Sequence, residues 1–257
     1  MSLTLRQICL VAEKLQPAIE DLKTVLGLEV CFIDPGVEIF GLENSLMPVG
    51  TNFIEVVAPV RDNTAGGRYL QRRGGNGGYM VITQAQSAEA HAALRARVDR
   101  MGVRVAWEMP HDTVHYMQLH PADTGGTFFQ IDWDTENEHQ GQWVPAGGRA
   151  WREFVRTDVV TAITAAEIQS PDPESLARRW SAIADIPLRT SAAGHLEMPL
   201  SNAVVRFVPE TDGRGEGLGG IDVKVADRSR LLEAARARGL TALDDQVTIC
   251  GTRFNLV

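Results

Sequence analysis

Hydrophobic and polar positions along this chain fall into four rounds of one order: an apolar strand, an amphipathic helix, then further strands. In the first round, Leu3 to Pro59, a strand over Thr4–Ala12 precedes a helix whose apolar stripe is Ile19, Leu22, Val25 and Leu26. Strands are expected at Leu28–Ile33, Glu38–Leu42 and Asn52–Ala58, with Asp34-Pro35-Gly36 as a turn. The second round, Tyr79 to Asp134, has a strand at Tyr79–Gln84 and a helix over Ala88–Met101. Strands follow at Val103–Trp107, Val114–His120 and Thr127–Trp133. The third, Ala162 to Glu210, opens its helix on Asp172-Pro173-Glu174: an N-cap, a Pro in the first turn and an acid at the positive end of the dipole. The fourth runs from Gly217 to Val257, with Asp227 capping its helix.

The ends of the elements repeat as well. Gly27, Gly102 and Gly239 each follow a helical pattern, where a left-handed cap is needed; the third round has Ala184-Asp185-Ile186 there instead. Gly50-Thr51, Gly126-Thr127 and Gly251-Thr252 each introduce a closing strand. The fold class expected is α+β, built of paired βαβββ modules in two pseudo-symmetric halves. The divisions are 1–134, a polar Gly-rich linker at 135–157 anchored by Trp143 and Trp151, and 158–257. Residues 60–77, ending in Arg73-Gly74-Gly75-Asn76-Gly77-Gly78, lack the Gly-Lys-Ser/Thr ending of a phosphate loop and are expected to be a flexible connector.

Composition narrows the partners. The net charge of −8 argues against nucleic acid. No window approaches the roughly 18 unbroken apolar residues of a membrane helix, and the N-terminus lacks a signal-peptide pattern. Cys9, Cys31 and Cys250 are too scattered for a disulfide framework or a paired-cysteine metal site, so a reducing cytoplasm is expected.

Two stretches carry a family resemblance. Leu119-His120-Pro121-Ala122-Asp123-Thr124-Gly125-Gly126-Thr127 resembles the turn before the last strand of epimerase-like proteins. Gly50 to Pro59, with Glu55 among apolar residues, resembles the closing strand of the preceding module. With the fourfold order, these resemble the vicinal oxygen chelate superfamily, which includes glyoxalases, methylmalonyl-CoA epimerases, extradiol dioxygenases and bleomycin resistance proteins. That resemblance implies cupped half-barrels lined by the first and last strand of each module. The matching positions are Gln7, Glu55, Tyr79 and Gln130, where the family places His, Gln or Glu. Ala165, Val205, Gly220 and Asn255 match in the second half, which is expected to have lost its site.

The substitutions change the chemistry that the resemblance implies. Gln7, Glu55 and Gln130 offer one carboxylate and two amides, a weak set that could hold a hard divalent ion such as Mg²⁺ or Mn²⁺ but not zinc. No organic cofactor is expected. Glu55 is the candidate base or metal ligand, Tyr79 an oxyanion donor, and Gln7 and Gln130 orient the substrate. Trp107, Tyr116, Phe128 and Trp133 could stack a flat ligand. His115 is a third candidate for acid–base chemistry; His111 and His120 read as structural, and Glu38 as a solvated strand residue. Two readings stay open: an isomerase, epimerase or lyase of a small carbonyl compound, or a metal-free binding protein. The expected partner besides the ligand is a second copy of the chain.

Overall fold

The computed structural model describes residues 2–257; Met1, the start of the 1–134 division, lies outside the described residues. The first module holds β1 (Leu3–Val11), α1 (Leu15–Leu26), β2 (Leu42–Val49) and β3 (Asn52–Pro59), followed by α2 (Ala65–Arg73). The second holds β4 (Gly77–Ala85), α3 (Ala88–Arg100), β5 (Val105–Pro110), β6 (Val114–Leu119) and β7 (Phe128–Asp134). The third holds β8 (Val160–Ser170), α4 (Pro173–Ala184), β9 (Arg189–Thr190), β10 (Leu196–Pro199) and β11 (Val204–Pro209). The fourth holds β12 (Gly217–Val225), α5 (Arg228–Ala237), β13 (Gln246–Ile249) and β14 (Thr252–Leu256).

The described strands form two seven-stranded sheets, ordered β2-β3-β1-β4-β7-β6-β5 and β13-β14-β12-β8-β11-β10-β9. The modules repeat this order internally. In the second and third, the first strand neighbours the last, and the middle strands follow outward. The first and fourth keep that order with the second strand reduced to a single bridge, Phe32↔Leu46 in one and Ala242↔Val247 in the other. The fold is therefore α+β with paired βαβββ modules.

By compactness the chain divides into two units. One takes in the N-terminal stretch up to Gln7, Tyr79–Gly141 and Ala165–Leu218; the other Ile8–Gly78, Gln142–Thr164 and Gly219–Val257. The first unit thus gathers the second and third modules. Its α3 packs on β7 and α4, and α4 packs on β10 and β11. Trp180 of α4 stacks on Phe129 at 4.2 Å, meets Phe207 edge-on, and donates its indole N–H to the Thr124 carbonyl at 3.1 Å. The Leu176-x3-Trp180-x2-Ile183 stripe is what turns these apolar groups inward. The second unit gathers the first and fourth modules, where α1 packs on β2, β3, α5 and β13.

The helix ends follow the sequence. Gly27, Gly102 and Gly239 have positive φ, and Asp185 takes the same left-handed conformation at φ 56°. An Asp tolerates that region better than most side chains, which explains why the missing Gly is allowed.

Three local expectations are corrected. Residues 35–40 form a 3₁₀ turn rather than a strand at Glu38–Leu42, and Glu38 is exposed on it. The cause is local: the Asp34 carboxylate accepts from Gly36 N–H, and Pro35 starts the turn. The strand expected at Leu28–Ile33 shrinks to the Phe32 bridge. The connector at 60–77 contains α2, despite its glycines, because Thr64 caps it through Gly67 N–H and Tyr69 and Leu70 are buried. The Tyr69 hydroxyl also donates to the Gly78 carbonyl at 2.5 Å.

Candidate functional site

Glu55 lies on β3 in the second unit and is 7% exposed. Pairing with β2 sets Leu46 opposite Glu55 and Asn44 opposite Val57, so Asn44 sits diagonally from the carboxylate on the same face. The Asn44 side-chain amide donates to Glu55 Oε1 at 2.6 Å. The Cys9 thiol is a second neighbour. Burial first, and then the Glu55 carboxylate beside it, push that thiol well above its usual range, so it stays a protonated donor. It reaches the carboxylate and also the Leu10 carbonyl at 3.6 Å.

The same strand face is roofed by aromatics. Phe53, two residues before Glu55, stacks on Trp143 at 6.4 Å and meets Trp151 edge-on at 5.1 Å. Both tryptophans are buried. Their segment folds back on itself through paired Trp143–Gly148 backbone bonds. The stretch read as a linker thus brings Trp143 and Trp151 onto Phe53 in the second unit, on the strand face that also carries Glu55.

The first unit holds Gln7, Tyr79 and Gln130, all buried. Gln130 belongs to a relay. Gln118 Nε2 donates to Gln130 Oε1 at 3.1 Å, and Gln130 Nε2 donates to Asp132 Oδ2 at 2.9 Å. Register places Met80, Ile82 and Gln84 of β4 beside Phe128, Gln130 and Asp132 of β7, and Tyr116 and Gln118 of β6 beside Asp132 and Gln130. Trp107 pairs with Gln118 and stacks on Tyr116 at 5.9 Å. Phe128, Tyr116, Trp107 and Gln130 thus share one sheet face. Tyr79 precedes Met80 in the ladder, and its ring meets Phe128 edge-on at 5.0 Å.

Burial pushes the Asp132 carboxyl well above its usual range, and the bond from Gln130 opposes this. Arg6 is buried near Asp134 and Asp132 and donates to the Glu138 carbonyl at 2.9 Å; burial brings its guanidinium down to about 10.

His115, named from the sequence as an acid–base candidate, lies on the other face of β6 from Gln118. It pairs across the sheet with Trp133 and faces α3, away from Gln118 and Gln130. Its Nε2 lies 2.9 Å from Glu108, and its ring 4.3 Å from that of His91. Trp133 shares that α3 side and leaves the stacking set. His120 caps the turn at 121–123 by accepting from Ala122 N–H, and His111 bonds Thr113.

In the third module, Arg189, Glu197, Arg206 and Glu167 form a row of alternating charge across β9, β10, β11 and β8. In the fourth, Asn255 is held between Gln246 and Asp222. Ala165 pairs with Val204, so Val205 points to the opposite face from Ala165.

The donor set suits a resident divalent ion poorly. Among the described residues, no three of His, Cys, Asp and Glu gather as a metal site, and the Gln130 amide oxygen is already taken by Gln118. Sequence reading missed Asn44, Cys9, Gln84 and Asp132. The signal for the last was present: Gln130-x-Asp132-x-Asp134 puts three polar groups on one face of an otherwise apolar strand.

The profile of the glyoxalase-like domain family matches residues 8–184. Comparison with curated proteins gives no match. Among solved structures, a hypothetical protein from Staphylococcus aureus has a TM-score of 0.63 at 14% identity, over 100% of this chain and 99% of that one. A mutant of 4-hydroxymandelate synthase from Streptomyces coelicolor has a TM-score of 0.69 at 12% identity, over 93% of this chain and 76% of that one. A Streptomyces coelicolor methylmalonyl-CoA epimerase variant has a TM-score of 0.44 at 21% identity, over 52% of this chain and 99% of that one. The first two likenesses show the fold; the third is too loose to add to it.

Proposed function

The chain belongs to the glyoxalase-like domain family, and from that premise we propose that it is an isomerase, epimerase or lyase of a small carbonyl compound in which Glu55 moves the proton. The observation that carries this reading is the setting of Glu55. A buried carboxylate is expensive to keep unless neighbours hold it. Here Asn44 donates to one oxygen and the Cys9 thiol stands beside it, while Phe53, Trp143 and Trp151 cover the same face. A fixed, desolvated carboxylate is the arrangement that general-base catalysis needs.

Glu55 takes the proton from the carbon next to the substrate carbonyl. The electron pair moves onto the carbonyl oxygen as an enolate, and Glu55 returns the proton to the carbon or to the oxygen. Asn44 fixes the oxygen that does not take the proton. No step requires a metal.

The test is proton exchange. The purified full-length protein is incubated in D₂O with small ketones, hydroxyketones and 2-oxo acids, with EDTA or with added Mg²⁺ or Mn²⁺. Loss of the proton next to the carbonyl is followed by NMR. Exchange that falls about 10²–10⁴-fold in Glu55→Gln supports the reading. Exchange within a few-fold of wild type in that variant overturns it. Saturable binding without exchange would place the chain among the binding proteins instead.

A further inference from the structure

Exposed apolar side chains gather at one place in the second unit. Ile33, Ile39, Phe40 and Val60 are 65%, 68%, 39% and 58% exposed. Ile39 and Phe40 close the 3₁₀ turn at 35–40, and Ile33 stands just before it. Val60 adjoins its end, donating its N–H to the Gly41 carbonyl at 3.0 Å. The other exposed large apolar residues, Met101, Met109, Val144, Leu243 and Val257, come one at a time along the chain. Single ones are ordinary on a protein surface; a cluster marks a contact.

Hydrogen bonds hold this cluster outward. Asp34 N–H donates to Asn44 Oδ1 at 2.9 Å, and Asp34 Oδ1 accepts from Gly36 N–H at 2.8 Å. At the other end, Gly41 N–H donates to the Glu38 carbonyl at 2.9 Å. The turn is pinned at both ends, yet none of its residues is buried. Beside it lies a hollow of about 430 Å³ lined by Gly41, Leu42, Val60, Glu38, Glu43 and Arg61. Arg61 Nη2 donates to the Ile39 carbonyl at 3.5 Å, which lays the guanidinium along the cluster. Among the described residues, Glu38, Glu43 and Arg61 form no ion pair.

An apolar centre edged by two acids and an Arg, none of them paired, is complementary to itself. A half-turn sets the apolar centres against one another and the acids of each copy against the Arg of the other. A partner of one sign of charge would leave acid facing acid or base facing base. We propose that two copies of this chain dock here about a twofold axis. Ile33, Ile39, Phe40 and Val60 lie at the centre, and Glu38 and Glu43 face the partner's Arg61. This inference is independent of the chemistry of Glu55.

The test is the mass of the full-length protein by sedimentation velocity from about 1 to about 100 µM, the range in which a modest contact assembles. Wild type should reach the mass of two chains at the upper end. Ile39→Glu and Val60→Lys place a charge in the centre, and each should weaken assembly at least about tenfold. Circular dichroism and thermal unfolding should match wild type in both, because both side chains are exposed. Met101→Glu, an exposed apolar position in the first unit, should leave assembly unchanged. Arg61→Glu sets like charges together and should weaken assembly about tenfold or more. Adding Glu38→Arg and Glu43→Arg to it inverts all three signs and should recover most of the loss. Three outcomes overturn the proposal: the mass of one chain at every concentration, a dimer that both Ile39→Glu and Val60→Lys leave intact, or an inverted triple variant no tighter than Arg61→Glu.

Discussion

His91 should make this protein sensitive to mild acid. It lies on α3, 2% exposed, with Nε2 3.1 Å from the Ile131 carbonyl, so the neutral ring donates to that oxygen. Burial, with the neighbouring His115 adding to it, brings the imidazole from 6.5 down to about 4. The unfolded chain therefore takes up a proton below pH 6.5, while the native state refuses it until about pH 4. Stability linked to His91 is fully present above pH 6.5 and is lost as pH falls towards 4. At about 1.4 kcal/mol per decade, the loss comes to about 3 kcal/mol, most of it by pH 4.5. The assay is urea unfolding followed by tryptophan fluorescence at pH 7.5, 6.5, 5.5 and 4.5. His91→Gln is the control, because it can still donate to Ile131 but does not titrate. Wild type should lose about 3 kcal/mol more than the variant over this range. Parallel curves would refute the reasoning, since every other titrating group is common to both.

Trp180→Ala should cost about 3–5 kcal/mol, because it empties the space between Phe129 and Phe207; Trp180→Phe should cost about 1–3 kcal/mol, because it keeps a ring but leaves the Thr124 carbonyl without its donor. Thermal and denaturant unfolding would check both. Gly126→Ala should cost at least about 2 kcal/mol by the same measurement, since a Cβ there would sit 2.4 Å from the Glu216 carbonyl oxygen at a φ of 76°. Once a substrate that exchanges is in hand, Asn44→Leu should lower kcat about tenfold or more with a smaller change in KM, and Asn44→Gln should recover part of it.

What the sequence determined by itself was whatever depends on neighbours a few residues apart. The helical stripes, the Asp172-Pro173-Glu174 start, the Gly caps and the fourfold rhythm are short-range signals, and each sets backbone geometry directly. They were enough for the α+β modules and for Glu55 as a carboxylate on an apolar strand. They failed where a local bond competed with a pattern. Asp34 turned Glu38 into a 3₁₀ residue, and Thr64 made a helix of a Gly-rich stretch.

The tertiary structure decided which side chains meet. Asn44 reaches Glu55 because β2 and β3 pair with Leu46 opposite Glu55, a register set by the two-residue turn at Gly50-Thr51; it was missed because the strand was expected at Glu38–Leu42 and not at β2. His115 and Gln118 belong to one strand, yet alternation sends the first to His91 and the second to Gln130, and which face carries the helix is set by packing. Trp143 and Trp151 read as linker anchors; only folding laid them on Phe53, two residues from the carboxylate. Burial is likewise a property of the packed whole. It holds the Cys9 thiol protonated, keeps the His91 ring neutral and pushes the Asp132 carboxyl above its usual range, and it has no counterpart in the order of residues.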